Sequence, residues 1–171
     1  MNTYKICLIG DAQVGKSTLL HRFTNGNFIE KYQPTMGVDV APVKHNDVCL
    51  NIWDCSGSFR GLKDGYYVQA HGAIFMFDLT NKDSFKNLGK WLVSFLRVAG
   101  DCPVVICGTK CDLEKKQVST QDIQQFLYHD LSRLLNQHKL CANKVKYYDI
   151  SSKSNYNFDK PFTFLVETLT Q

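Results

Sequence analysis

The 171 residues carry 20 Lys and Arg against 16 Asp and Glu, for a net charge of +4, and 44% of them are hydrophobic. That composition fits one soluble domain able to bury a core, and with the basic residues scattered nothing points to a nucleic-acid-binding face. Seven cysteines, mostly in apolar runs and with no C-x-x-C pair, read as buried thiols of a reducing compartment rather than disulfides or zinc ligands.

In chain order, Tyr4-Lys5-Ile6-Cys7-Leu8-Ile9 is short and branched enough for a buried strand. It runs into Gly10-Asp11-Ala12-Gln13-Val14-Gly15-Lys16-Ser17, the spacing G-x-x-x-x-G-K-S of a phosphate-binding loop. Residues 18–25 repeat apolar positions at helical spacing before Gly26 stops them. Residues 27–37 are polar and turn-rich, with Pro34 restricting Gln33, and form a loop. Two extended runs, 38–43 and 48–53, flank Lys44-His45-Asn46-Asp47 as a β-hairpin. Asp54-Cys55-Ser56-Gly57 leaves the second of them.

Residues 72–79 are nearly all apolar, as a parallel strand covered on both faces must be. Asp83 or Ser84 caps a helix whose apolar positions Phe85, Leu88, Leu92, Phe95 and Ala99 step by three and four up to Gly100. A further buried strand, 103–108, delivers Thr109-Lys110-Cys111-Asp112 at its carboxyl end. Ser119 or Thr120 opens a longer helix, 145–150 is a strand leading into Ser151-Ser152-Lys153, and a last helix starts near Asp159 with Pro161 in its first turn. The alternation predicts a single α/β domain over residues 1–171: three layers, helix–sheet–helix, around a six-stranded, mostly parallel sheet with one antiparallel hairpin strand. Its ligand is expected at the carboxyl ends of the strands. No apolar run approaches the roughly 20 residues that cross a bilayer, and neither a signal-peptide pattern nor a prenylated cysteine box is seen, so no membrane anchor is expected.

Strand-end segments then fall into one crevice. The amides of Asp11, Ala12, Gln13, Val14, Gly15 and Thr18 are expected around phosphates at the positive end of the first helix, with Lys16 on the outer phosphates and the Ser17 hydroxyl on Mg2+. Asp54 suits that ion through water, and Gly57 lets a backbone N–H approach a terminal phosphate. The Asp112 carboxylate matches the N1–H and 2-amino donors of guanine, which adenine lacks in that geometry. Lys110 lays its stem across the base beside Thr109, and the backbone N–H groups of Ser151, Ser152 and Lys153 meet the guanine oxygen. Thr35 joins the metal only when a γ-phosphate is present, which makes its loop a switch. Phe28 packs against the base or plugs the core. Tyr32 lies over the phosphates or in solvent.

At these residues the chain resembles the small GTPases of the Ras superfamily, and within them most closely the Ran type. Gly61-Leu62-Lys63-Asp64-Gly65-Tyr66-Tyr67-Val68-Gln69-Ala70, Phe75-Met76-Phe77-Asp78, Tyr147-Tyr148-Asp149-Ile150-Ser151 and Lys153-Ser154-Asn155-Tyr156-Asn157-Phe158 carry the likeness outside the nucleotide loops. The resemblance implies a P-loop fold and a monomeric GTP/GDP switch of nucleocytoplasmic transport, found in nucleus and cytoplasm. Its implied partners are importin- and exportin-type receptors, an exchange factor and a GTPase-activating protein.

The chain also departs from that pattern. Ser58 stands where the family has the glutamine that orients the attacking water, and its hydroxyl is too short for the task. Catalysis by Lys16, Tyr32, Thr35 and the degenerate Ser58 is therefore expected to be weak, where even Ras unaided turns over on the order of 10⁻⁴ per second. Ser56 and Ser152 replace the usual alanines, and Ala12 crowds the phosphate loop slightly. The segment 113–146 is longer and less basic than the Ran counterpart, and no acidic tail is seen by Gln171. Two functions follow: a slow but useful GTPase switch, or a GTP-bound mimic that holds transport receptors with little turnover.

Overall fold

The computed structural model describes residues 1–31, 33–55 and 63–171. Six strands run β1 (Asn2–Ile9), β2 (Val38–His45), β3 (Val48–Cys55), β4 (Gly72–Asp78), β5 (Val104–Thr109) and β6 (Val145–Asp149) in one sheet of order β2-β3-β1-β4-β5-β6. Only the β2–β3 pair is antiparallel, so the expected mostly parallel sheet with one antiparallel pair is present. The hairpin strands each run two residues further than their apolar stretches. The turn thereby shrinks to Asn46-Asp47, with Asn46 at φ 53°, a left-handed conformation that two-residue hairpins favour.

Alternation along the strands feeds two cores. Ile6 and Leu8 of β1 with Ile74 and Met76 of β4 meet α1 (Lys16–Asn25) and the C-terminal helix Lys160–Leu169, while Cys7, Ile9, Phe75 and Phe77 face the helices on the other side. Phe23 of α1 stacks on Phe162 at 3.9 Å between ring centres, joining the two helices of the first layer. The opposite layer contains α2 (Lys63–Tyr67), α3 (Lys82–Lys86), α4 (Leu88–Ala99), α5 (Thr120–Gln125) and α6 (Ser132–His138). The C-terminal helix is accordingly α7.

Local structure differs from the sequence pattern in three places. Asn81, not Asp83 or Ser84, caps α3, accepting the N–H groups of both at 3.0 and 3.4 Å. Ser84 is buried instead, donating back to the Asn81 carbonyl at 2.7 Å. The helix expected to run to Gly100 is interrupted at Asn87, between α3 and α4. Ser119 is the cap of α5, in a reciprocal box with Asp122 in which both hydrogen bonds measure 3.0 Å. One wide π turn, Phe126–Leu131, then joins α5 to α6 and keeps Phe126, Leu131, Leu134 and Leu135 buried.

All seven cysteines are free. Cys7, Cys55, Cys102 and Cys107 are buried as expected, but Cys49 and Cys111 are half-buried and Cys141 is exposed. Among the described residues, no helix is long and apolar enough to cross a membrane.

Because β1, β3, β4, β5 and β6 are mutually parallel, their carboxyl ends, from Ile9 to Asp149, open on one edge of the sheet. Chain order diverges there on either side of β1, where open α/β sheets place their ligand crevice.

Candidate functional site

A cleft of about 740 Å³ occupies this edge. Its floor is the turn from β1 into α1. Gly10 passes so close under β4 that a Cβ would lie 2.2 Å from the Met76 carbonyl oxygen, which admits no side chain. Gln13 at φ 67° and Gly15 at φ 103° are left-handed, a curl that turns successive N–H groups into one concavity. α1 starts at Lys16 without a side-chain cap and with no acidic residue in its first turn. Its leading N–H groups and positive dipole end are thus unopposed. Residues 12–18 all line the cleft.

Asp11 does not. Its carboxylate turns to the far layer, taking the Trp91 Nε1–H at 2.8 Å and the Asn87 Nδ2–H at 2.7 Å. What Asp11 offers locally is its carbonyl, which accepts the Lys16 ammonium at 2.8 Å beside the Gly10 carbonyl at 3.0 Å. Burial pushes the Lys16 ammonium below its ordinary range, while Asp54, Cys55 and Asp11 pull it back.

At one end of the cleft three oxygen-bearing side chains converge. The Ser17 hydroxyl donates to Asp54 Oδ2 and shares a 2.8 Å hydrogen bond with Thr35 Oγ1. The second carboxylate oxygen, Oδ1, is buried with no hydrogen-bond partner among the described residues. Burial raises the Asp54 carboxyl above the ordinary carboxylate range, against the lowering effect of Ser17 and Lys16. A buried carboxylate with a spare lone pair beside two hydroxyls fits a hard divalent cation such as Mg2+, which takes oxygen ligands and keeps several waters. When bound there, the ion neutralises phosphate charge.

The opposite end is built on Asp112 and Ser151. Ser151 Oγ accepts the Ser154 N–H at 3.1 Å and donates to Asp112 Oδ1 at 2.7 Å, fixing the carboxylate's orientation. The Ser151 N–H is spent on the Tyr156 carbonyl at 2.9 Å, so its contribution is the hydroxyl and not the expected N–H. Ser152 and Lys153 line the cleft, and neither N–H donates to a protein acceptor among the described residues.

Thr109 and Lys110 tie the two ends together. Thr109 Oγ1 donates to the Val14 carbonyl at 2.6 Å and lies 3.0 Å from that of Phe77. Lys110 Nζ reaches the Gln13 carbonyl at 3.0 Å and the Asp78 carboxylate at 2.6 Å. Phe28 is half-buried on the cleft wall and, among the described residues, belongs to neither core cluster. Beside it Glu30 pairs with Lys153 across the mouth at 3.8 Å, both side chains largely exposed. Tyr32, Gly57 and Ser58 lie outside the described residues.

Sequence reasoning missed three participants. Ile29 and Leu113 complete the wall as exposed apolar residues, and only a completed fold brings them there. Arg22, 9% exposed, sends its guanidinium to carbonyls 130 positions away. A basic residue in the last turn of a helix gave no sign of that beyond a favourable dipole.

A family model described as the Ras family matches residues 5–171. The chain belongs to the Ras family. It is a small-GTPase domain and hence a GTP-binding molecular switch, and Ras-family GTPases bind GTP or GDP with Mg2+.

Proposed function

We propose that this Ras-family domain is a Ran-type switch of nucleocytoplasmic transport that holds GTP tightly and hydrolyses it slowly. The observation that carries the nucleotide assignment is one cleft with two chemically distinct ends: Ser17, Thr35 and the unsatisfied Asp54 oxygen at one, the Asp112–Ser151 pair at the other. In this account the amides of residues 13–18 hold the phosphates, with Lys16 on the outer ones. Ser17, Thr35 and Asp54 hold Mg2+, and Asp112 with the N–H groups of Ser152 and Lys153 reads guanine while Phe28 flanks it. Tyr32 and Gly57 are assigned to the γ-phosphate.

Hydrolysis breaks the bond from the γ-phosphorus to the bridging oxygen as water adds opposite, and it depends on positioning that water. Glutamine does this with an amide. Ser58 has only a short hydroxyl, so the ground state is held but the attack is not aligned.

Ran-type partners and a nuclear and cytoplasmic location are supported by segments 61–70, 75–78, 147–151 and 153–158. One of those residues also serves the cleft, where the Asp78 carboxylate holds Lys110. Ser58 favours a second reading, a GTP-bound mimic that occupies importin- or exportin-type receptors with little turnover, while the loop from Gly10 to Ser17, Thr35 and Asp54 fit both. Single-turnover hydrolysis by the natural chain and Ser58→Gln, together with capture of those receptors by GTP-loaded protein, tests both. A rise of about tenfold or more in the variant supports the loss of the water positioner, equal rates refute it, and failure to retain receptors refutes the transport role.

A further inference from the structure

We propose that Arg22 is a positioning residue for guanine recognition, holding the residue 152–153 backbone at the height where its N–H groups meet the 6-oxo group of the base. The inference rests on the guanine reading above and extends it to a residue outside the cleft.

Arg22 lies in the last full turn of α1 and is nearly buried, yet among the described residues it pairs with no carboxylate. Its planar fork is committed to three backbone carbonyls instead: Nε to Ser152 at 2.7 Å, Nη2 to Lys153 at 3.1 Å, and Nη1 to Gly26 at 2.9 Å. Gly26, left-handed at φ 72°, returns its own N–H to the Arg22 carbonyl at 3.0 Å. The guanidinium is thus doubly anchored to the end of the helix whose other end forms the phosphate loop. A buried cation facing only carbonyls is worth retaining where it fixes geometry that neutral groups cannot, and a fork of fixed shape spans adjacent carbonyls as a single ammonium does not.

Of the two donors beyond it, the Lys153 N–H shares a peptide plane with the Ser152 carbonyl that Arg22 holds. Ser151 is held independently by Tyr156, Ser154 and Asp112. Among the described residues the Ser152 carbonyl is held by Arg22, while the peptide of the Lys153 carbonyl is held by Arg22 on one side and, through the Ser154 N–H, by Ser151 Oγ on the other, with the Lys153 side chain in an exposed 3.8 Å pair to Glu30. Peptide planes are rigid, so fixing a carbonyl fixes the N–H of the following residue. Gripping the Ser152 carbonyl therefore aims the Lys153 N–H. Removing Arg22 loosens reading of the 6-oxo group while leaving Asp112, which reads N1–H and the 2-amino group, in place.

The base atoms separate this from a general structural role. Natural protein, Arg22→Gln and Arg22→Lys are compared in magnesium buffer for release of tritiated GDP, and for competition by inosine diphosphate, which lacks the 2-amino group, and by 6-thioguanosine diphosphate, whose 6-position is a poorer acceptor. Arg22→Gln is expected to release GDP about tenfold faster. Its preference for GDP over the 6-thio analogue shrinks while its preference for GDP over inosine diphosphate stays unchanged, and Arg22→Lys falls between it and the natural chain. Unchanged release, or both preferences falling together, overturns the inference. Should Arg22→Gln not fold, Arg22→Lys alone carries the same two ratios. A natural chain that retains no GDP overturns the guanine reading itself, whereas one that retains GDP as its variants do overturns only the role of Arg22.

Discussion

Replacing Asp112 by asparagine should convert a guanine site into a xanthine site, and the hydrogen bonds around Ser151 determine why. Ser151 Oγ accepts from the Ser154 N–H, so its single proton goes to Asp112 Oδ1 at 2.7 Å. An asparagine there must keep its oxygen toward Ser151, which turns its NH₂ toward the base. Guanine then meets a donor with its own 2-amino donor and loses two charge-assisted hydrogen bonds of about 1.5–3 kcal/mol each. The sum, about 3–6 kcal/mol, predicts roughly 10²- to 10⁴-fold weaker GDP binding. Xanthosine diphosphate, with a 2-oxo acceptor, accepts a hydrogen bond from that NH₂ and is favoured over GDP. Equilibrium competition of the two diphosphates against one radiolabelled nucleotide measures the exchange. An Asp112→Asn protein that still prefers GDP would refute both the carboxylate's role and the orienting role of Ser151.

Asp54 and Ser119 give further tests. Burial raises the folded-state pKa of Asp54 above its unfolded value, so between those two values the folded state binds more protons and stability falls as pH rises. Nucleotide- and magnesium-free protein should therefore lose urea resistance from the ordinary carboxylate range toward the raised pKa, and Asp54→Asn should flatten that slope; an unchanged slope contradicts the assignment. The same variant should retain GDP less well when Mg2+ is present and show little response to chelator, as read by nucleotide release. Ser119→Ala removes the reciprocal cap that starts α5 and should cost about 1 kcal/mol in urea unfolding, with GDP release unaffected because the cap does not line the cleft.

The strand–loop–helix unit from Tyr4 to Asn25 was legible because its periodicity, its glycines and its lysine are all local in sequence. The same holds for β4 and β5, whose apolar runs announce burial on both faces. Other features depended on long-range geometry. The Asn81 cap could not be separated from Asp83 and Ser84 by residue type, since each is a good cap, and the difference is only that Ser84 packs inward. Asp11 enters the phosphate loop by its backbone, and nothing local in the sequence shows that its carboxylate takes the Trp91 and Asn87 side chains across the sheet. For Ser151 the N–H that the sequence offers to a base oxygen is occupied by an antiparallel bridge to Tyr156, and the hydroxyl turns to Asp112, a pairing that residue type does not reveal. Arg22 acts through carbonyls, which every residue possesses and no motif marks.

The central claim is that the cleft binds a guanine nucleotide with Mg2+ and turns it over slowly. Chromatography of nucleotide released from protein loaded with an equal mixture of GTP and ATP, sampled over time with Mg2+ and after chelation, tests it most directly. The account predicts guanine nucleotide alone, still largely GTP long after loading and discharged when Mg2+ is removed. Adenine nucleotide, or retention indifferent to Mg2+, would contradict it.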